Sequence, residues 1–229
     1  AALIDWLASE LVDHGWSLRH LHRLIVTSAA YRMDSSIRAA GDTAARDPDN
    51  QFWWRRTPLR LEGQVVRDAI LELAGDLESQ RGGPPVAPSA QEGSHRRSLY
   101  FYHSNNDRNL FLTTFDEALV KECYRREQSI VPQQSLALLN SRLVGDAAPR
   151  IAARLTAQTK VATDDTFIRH AFRELLGTDP SDAELTECRQ SIEQWRQGNT
   201  PDPNNPSNDR ARSNLIWALL NHGDFVTLR

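Results

Sequence analysis

The sequence predicts a mainly α fold, an irregular multi-helix assembly with one small β element around residues 96–103. Three observations predict it. Apolar residues recur at spacings of three and four along most of the chain, as in Phe167, Ile168, Ala171, Phe172 and Leu175. Helix-starting and helix-stopping residues bracket those runs. A single stretch, RRSLYFYH at 96–103, has the aromatic-rich, turn-bounded pattern of a strand.

Taken in order, residues 2–13 place Leu3, Trp6, Leu7 and Leu11 on one helical stripe, and Gly15 stops that helix. Ser17 then serves as N-cap of a second helix running to about Tyr31, the two forming a hairpin. Residues 34–58 are polar and turn-rich. A third helix is expected over 59–77, with Leu59, Val66, Ile70, Leu73 and Leu77 on one face. Gly-Gly and Pro-Pro make 79–95 a loop. Pro132 sits where a first helical turn tolerates it, and Pro149 is expected to interrupt or kink the helix it opens. Residues 164–176 read as helix, and Ser181 with Glu184 as the capping box of the next. Residues 198–210 read as a solvated linker before a last helix over about 211–221. The expected organisation is a main helical domain over 1–158, holding the strand and long loops, with a C-terminal helical subdomain over 159–229 packed on it.

The 229 residues are 40% hydrophobic and 25% charged, ordinary for a globular protein with ample material for a core. A net charge of −3 argues against a general nucleic-acid binder, which needs a clustered positive excess. No apolar run approaches the length of a membrane span. The chain opens without an initiator Met or leader, and is expected to be a piece of something longer, entered mid-helix. Its two cysteines, Cys123 and Cys188, make neither a zinc knuckle nor a CxxC pair, and one disulfide stays open as an alternative to two thiols. All but two of the 27 basic residues are arginine, suited to planar two-point contacts with carboxylates.

The stretch GWSLRHLHRLIVTSAAYR (15–32) holds two histidines two positions apart. On a helix they point about 200° apart and cannot share an ion. His22, on the stripe of Leu18, Leu21, Ile25 and Ala29, is expected to be a buried, hydrogen-bonded imidazole, with His20 on the other side. No metal site is expected. Glu62 projects from the apolar face of the third helix, so its carboxylate must be paired or its proton affinity rises. It is either a general acid or base in a pocket or one end of a buried pair with Arg55, Arg56 or Arg97, and the pair is the expected reading. Arg67 and Asp68 lie farther round and are expected to be solvated. Glu62, Asp68 and Asp116 are the candidates for catalysis. Arg67, Arg97, Arg125, Arg126, Gln134 and Asn140 are the candidates for binding, Arg125 and Arg126 as anion holders ahead of the Pro132 helix. No P-loop, GxGxxG or GxSxG elbow occurs.

The histidine stretch and DPDNQFWWRR, RLEGQVVRDAILELAGDL, GGPPV, RRSLYFY, FDEALVKECYRREQSIVPQQSLALLN and LLNHGDF follow one another in that order. As a set they resemble the domain of unknown function numbered fifteen fifty-three, abundant in planctomycete-type bacteria. The resemblance implies the C-terminal part of a large exported protein, behind a second uncharacterised domain and often a cytochrome-c-like haem segment. It therefore implies an extracytoplasmic setting, periplasmic or at the cell surface, and the preceding domain of the same polypeptide as a partner. The chain departs from that family at Gln64, where a Glu is common, and at Gly223, Asp224 and Phe225, where Asn-Glu-Phe is common. No CxxCH occurs, so no haem or other cofactor is expected on this chain. Two functions are carried forward. One is a structural and interaction module using Trp6, Trp53 and Trp54. The other is a hydrolase acting on extracellular anionic polysaccharide, with Glu62 or Asp68 beside the arginines.

Overall fold

A computed structural model describes residues 2–36, 41–121, 129, 131–158, 163–198 and 210–228. Among these the chain forms ten α-helices, two 3-10 turns and one two-stranded sheet, β1 (Leu59–Arg60) with β2 (Thr227–Leu228). The mainly α expectation is met, but the strand is not where the sequence placed it. Residues Ser98–Tyr100 wind into a 3-10 turn, and only isolated bridges, Glu78 to Arg96 and Val86 to Phe101, touch this stretch. Side chains have taken the backbone groups a ladder would need. Asp68 accepts from the Ser98 backbone N–H at 2.8 Å, and Arg67 donates to the carbonyls of Arg96, at 2.9 Å, and Ser94.

Contacts divide the chain after Leu59 into two compact units, Ala1–Leu59 and Arg60–Leu228. The first begins with the expected hairpin, α1 (Ala2–Asp13) and α2 (Leu18–Thr27). Gly15 and Trp16 reverse the chain with φ of 62° and 61°, and the Ser17 side chain caps α2 by accepting from His20 N–H at 3.2 Å. The helix ends at Thr27, four residues early, because Ser28 Oγ donates to the Ile25 carbonyl and accepts from Tyr31 N–H. Half-buried Leu7, Glu10 and Leu11 make one side of the seam, and Ser17, His20, Leu21 and Leu24 the other.

That seam corrects the expectation for His22, which is exposed, while His20 faces α1. The inward face of α2 is rotated from the stripe read in the sequence, so Leu18 and Ile25 also stand out from the hairpin. After the short α3 (Thr43–Arg46), DPDNQFWW forms a knot around Asp47. Its buried carboxylate accepts from the N–H groups of Gln51 and Phe52 at 2.9 and 2.8 Å, and its carbonyl accepts from Trp54 Nε1.

The second unit is built on seven helices among its described residues: α4 (Gly63–Ala74), α5 (Leu110–Thr114), α6 (Pro132–Asn140), α7 (Arg142–Gln158), α8 (Asp164–Leu176), α9 (Asp182–Gly198) and α10 (Arg210–Leu220). Helix α4 is shorter than the expected 59–77, since Leu59 and Arg60 join β1 and Gly75 closes the helix in a left-handed cap at φ 79°. Gly63 at its start is a close approach: a Cβ there would meet the Leu112 carbonyl oxygen at 2.8 Å. Pro132 opens α6 as expected. The break after it falls at Ser141, whose extended backbone separates α6 from α7, and Pro149 is carried inside α7.

Helix α7 is central, packing on α4, α6, α8 and α10. It buries Val144, Ala147, Ala148, Ile151, Ala152 and Leu155, a stripe at helical spacing whose small alanines let neighbours approach. Helices α8 and α10 close the same core with Phe167, Ile168, Phe172, Leu215, Ile216 and Leu220. The predicted helix at 164–176 and the Ser181–Glu184 capping box are both present. Most of the predicted linker at 198–210 lies outside the described residues.

Four helix ends meet at Asp164. Its carboxylate accepts from Arg212 Nη2 at 2.9 Å and from Arg196, while Arg212 Nη1 donates to Thr156 Oγ1 at 3.1 Å. Burial alone would raise the Asp164 carboxyl, but the guanidinium groups of Arg196 and Arg212 outweigh it and hold the carboxyl below its usual range.

Candidate functional site

Helix α4 carries most of the residues singled out in the sequence. Arg67 lies on the same side as Val66, Ile70 and Leu71 and is buried with them. Its guanidinium sits 4.5 Å from the Phe101 ring centroid and donates to Ser98 Oγ at 3.2 Å as well as to the Ser94 and Arg96 carbonyls. Burial lowers its proton affinity, and Asp68 acts in the opposite direction.

Asp68 accepts from both the N–H and the Oγ of Ser98, at 2.8 and 2.7 Å, and from Arg97 Nε at 3.4 Å. The expectation that Arg67 and Asp68 are solvated is therefore corrected. They face the 94–98 loop and pin it to α4, because unpaired carbonyls there would otherwise be stranded.

The placement of Glu62 on the buried face of α4 is corrected as well. It stands just before α4, at the N-cap position with extended backbone, and is half-buried instead of seated on the buried face. Of the arginines named with it, Arg97 pairs with Asp68, and Arg55 and Arg56 stand over the rings of Trp54 and Tyr31.

Asp116 adopts φ 56° and accepts from Ser129 N–H and Oγ, both at 2.8 Å. Gln134 is buried and bridges two segments, donating to the Ser129 carbonyl at 3.2 Å and accepting from Arg60 Nη2 at 2.6 Å. Asn140 is exposed and donates to its own helix at Leu136. Arg125, Arg126 and Cys123 lie outside the described residues. Cys188 is half-buried on α9, and burial, then Glu187 and Glu184, push its thiol up to about 11, so little of it is the nucleophilic thiolate.

A cavity of about 790 Å³ opens in the second unit between the 88–92 turn, α5 and the α6–α7 junction. Arg67, Gln91, Arg108, Phe111, Asn140 and Arg142 are among its lining residues. It unites two of the predicted binding residues, Arg67 and Asn140, but Asp68, Glu62 and Asp116 do not line it.

Beside Arg108 lies a group that sequence reasoning missed. Glu117 is buried, with His103 Nδ1 3.1 Å from Oε1 and Arg108 Nε 3.8 Å from Oε2. Burial raises the Glu117 carboxyl despite the opposing pull of His103 and Arg108. His103 Nε2 is itself buried without a hydrogen-bond partner. Three residues flanking the short α5, spaced five and nine apart, leave no periodic signal from which this meeting could have been read.

A family model described as PSD1, protein of unknown function (DUF1553), matches residues 1–192. The chain belongs to that family. The DUF1553 match takes in the hairpin, α4, the 94–98 loop and the cavity, and ends within α9. No curated protein and no solved structure matches the chain. No helix of the described residues is long and apolar enough to cross a membrane.

Proposed function

We propose that this DUF1553 chain is a helical interaction module whose α1–α2 hairpin seats its apolar surface on a protein partner. One observation carries this: neither α1 nor α2 buries a single residue, although α1 alone contributes Leu3, Ile4, Trp6, Leu7, Leu11 and Val12. Leu3 is 68% exposed, Ile4 71% and Trp16 71%, and Phe52 and Trp53 project from the same unit. Exposed aromatic and aliphatic groups at this density are what a protein interface uses as its anchors. The partner suggested by the family setting is the adjoining part of the same polypeptide, in an extracytoplasmic compartment of a planctomycete-type bacterium.

The hydrolase reading draws less support. Asp68 and Arg67 are engaged in holding the 94–98 loop, and neither Asp68 nor Glu62 lines the cavity. A glycosidase needs its acid and base in the cleft, and the carboxylates that line this one are Glu92 and Asp107, not the candidates Glu62 and Asp68.

Photo-crosslinking tests the proposal. A photoreactive amino acid at position 6 or 16, in cells that make the protein, is expected to give one discrete product with protein sequence outside residues 1–229. Crosslinks confined to residues 60–228 would overturn the reading, because the hairpin would then be covered by its own chain.

A further inference from the structure

We propose that Glu10, His14 and His20 form a binding site for a single divalent transition-metal ion of the zinc type. The expectation of no metal rested on His20 and His22, which indeed diverge; the relevant partner of His20 is His14, across the hairpin. His14, the residue just after α1, follows Glu10 by four and still donates its backbone N–H to the Glu10 carbonyl, so the two share a face. The reversal at Gly15 and Trp16 then lays the first turn of α2, with His20, over that face.

The geometry is that of a ligand set. Glu10 Oε2 lies 3.3 Å from His14 Nδ1 and 3.2 Å from His20 Nε2. One donor atom from each residue lies within 4.8 Å of the other two. Ligands about 2.0–2.1 Å from a tetrahedral zinc ion stand about 3.3 Å from one another, so the two Glu10 spacings need almost no change. The imidazole rings stack with centroids 3.7 Å apart and planes within 10° of parallel; an imidazole binds a metal in the plane of its ring, so one ring turns out of the stack for both nitrogens to converge on the ion.

The donor types narrow the ion. Two imidazole nitrogens and one carboxylate oxygen suit zinc and its borderline neighbours and are a poor set for magnesium or calcium, which take oxygen ligands. All three side chains are partly exposed, at 46, 34 and 23% for His14, His20 and Glu10. A fourth position therefore faces water, and an ion can reach the site without the hairpin opening. His14 Nδ1 also stands 3.0 Å from the Glu10 carbonyl oxygen. To ligate through that atom the ring carries its hydrogen on Nε2, and the contact to the carbonyl is given up.

The site does not depend on the docking proposal. Zinc titrated calorimetrically into the whole chain is expected to bind at about one ion per chain. Cobalt should bind in its place and give the visible absorption bands of a low-coordinate nitrogen and oxygen site. Glu10→Gln, His14→Ala and His20→Ala are each expected to weaken binding by about tenfold or more, with helicity by circular dichroism confirming that they fold. His22→Ala, on the same helix but exposed, is expected to leave affinity unchanged. Absence of saturable zinc binding, or equal losses in His22→Ala and His20→Ala, would overturn the assignment.

Discussion

Helix α7 buries six residues in a helical stripe, whereas α1, with a comparable share of apolar side chains, buries none. Both elements follow the same local rules of periodicity and stop signals, so local sequence does not separate them. Their neighbours do. Four helices pack on α7 from within the second unit, while α1 has α2 beside it along one seam. Burial of apolar surface is the main favourable contribution in the second unit. In the first unit, the hairpin and the Asp47 knot are held chiefly by caps, a polar cluster and side-chain-to-backbone hydrogen bonds. Apolar side chains left outside such a frame add nothing to its stability and are available for recognition.

The comparison breaks most visibly through cavity-forming substitutions. Ile151→Ala, at a side chain with no exposed surface, removes contacts with helices on several sides and should cost about 3–4 kcal/mol. Leu11→Ala on the hairpin seam, at a half-buried position, should cost about 1 kcal/mol or less. Denaturant unfolding monitored by circular dichroism measures both. Equal costs would mean that the hairpin is a packed core in its own right and that its surface is not spare.

How much of this was legible in the sequence depends on the range of the interaction. Caps and periodicities act within four residues, and the Ser17 cap, the Pro132 start and the Ser181–Glu184 box were all readable. The strand expected at 96–103 was not formed, because its fate is decided by Arg67 and Asp68, some thirty positions away. His22 was misplaced by a rotation of α2 that only the partner helix sets. Meetings such as Glu117 with His103, or His14 with His20, depend on turns whose geometry no pattern of residue types encodes. For Arg67, Asp68, Asp116 and Gln134 the structure shows hydrogen-bond partners that the sequence could not name.

Charge sharpens the contrast within the second unit by pH. The Asp164 carboxyl is lowered in the folded chain, so its contribution is fully present above the ordinary carboxylate range and is lost as pH falls through the lowered value. The Glu117 carboxyl is raised, so its contribution is present below the ordinary range and is lost as pH rises through the raised value. Asp164→Asn should therefore lower thermal stability near neutrality and flatten the acid side of a melting-temperature profile. Glu117→Gln should raise stability near neutrality and leave the acid side little changed. Profiles that shift in the same direction for both variants would show that the two carboxylates are not held by opposite balances of burial and pairing.

The smallest expected change in stability falls at Trp16. A bulky residue at φ 61° is strained, since its Cβ crowds the backbone in a region where glycine is at ease. Its indole is largely exposed, so it recovers little from burial. Trp16→Gly should then leave thermal stability unchanged or raise it by about 0.5 kcal/mol, while a photoreactive group at position 6 in the same variant should give less partner crosslink than in the parent. On the proposed docking role, a tryptophan that costs the fold something and gives it nothing is kept for a contact outside the fold. If Trp16→Gly instead destabilises the hairpin by more than about 1 kcal/mol, the indole is packing after all, and the surface assigned to a partner shrinks to the outer face of α1.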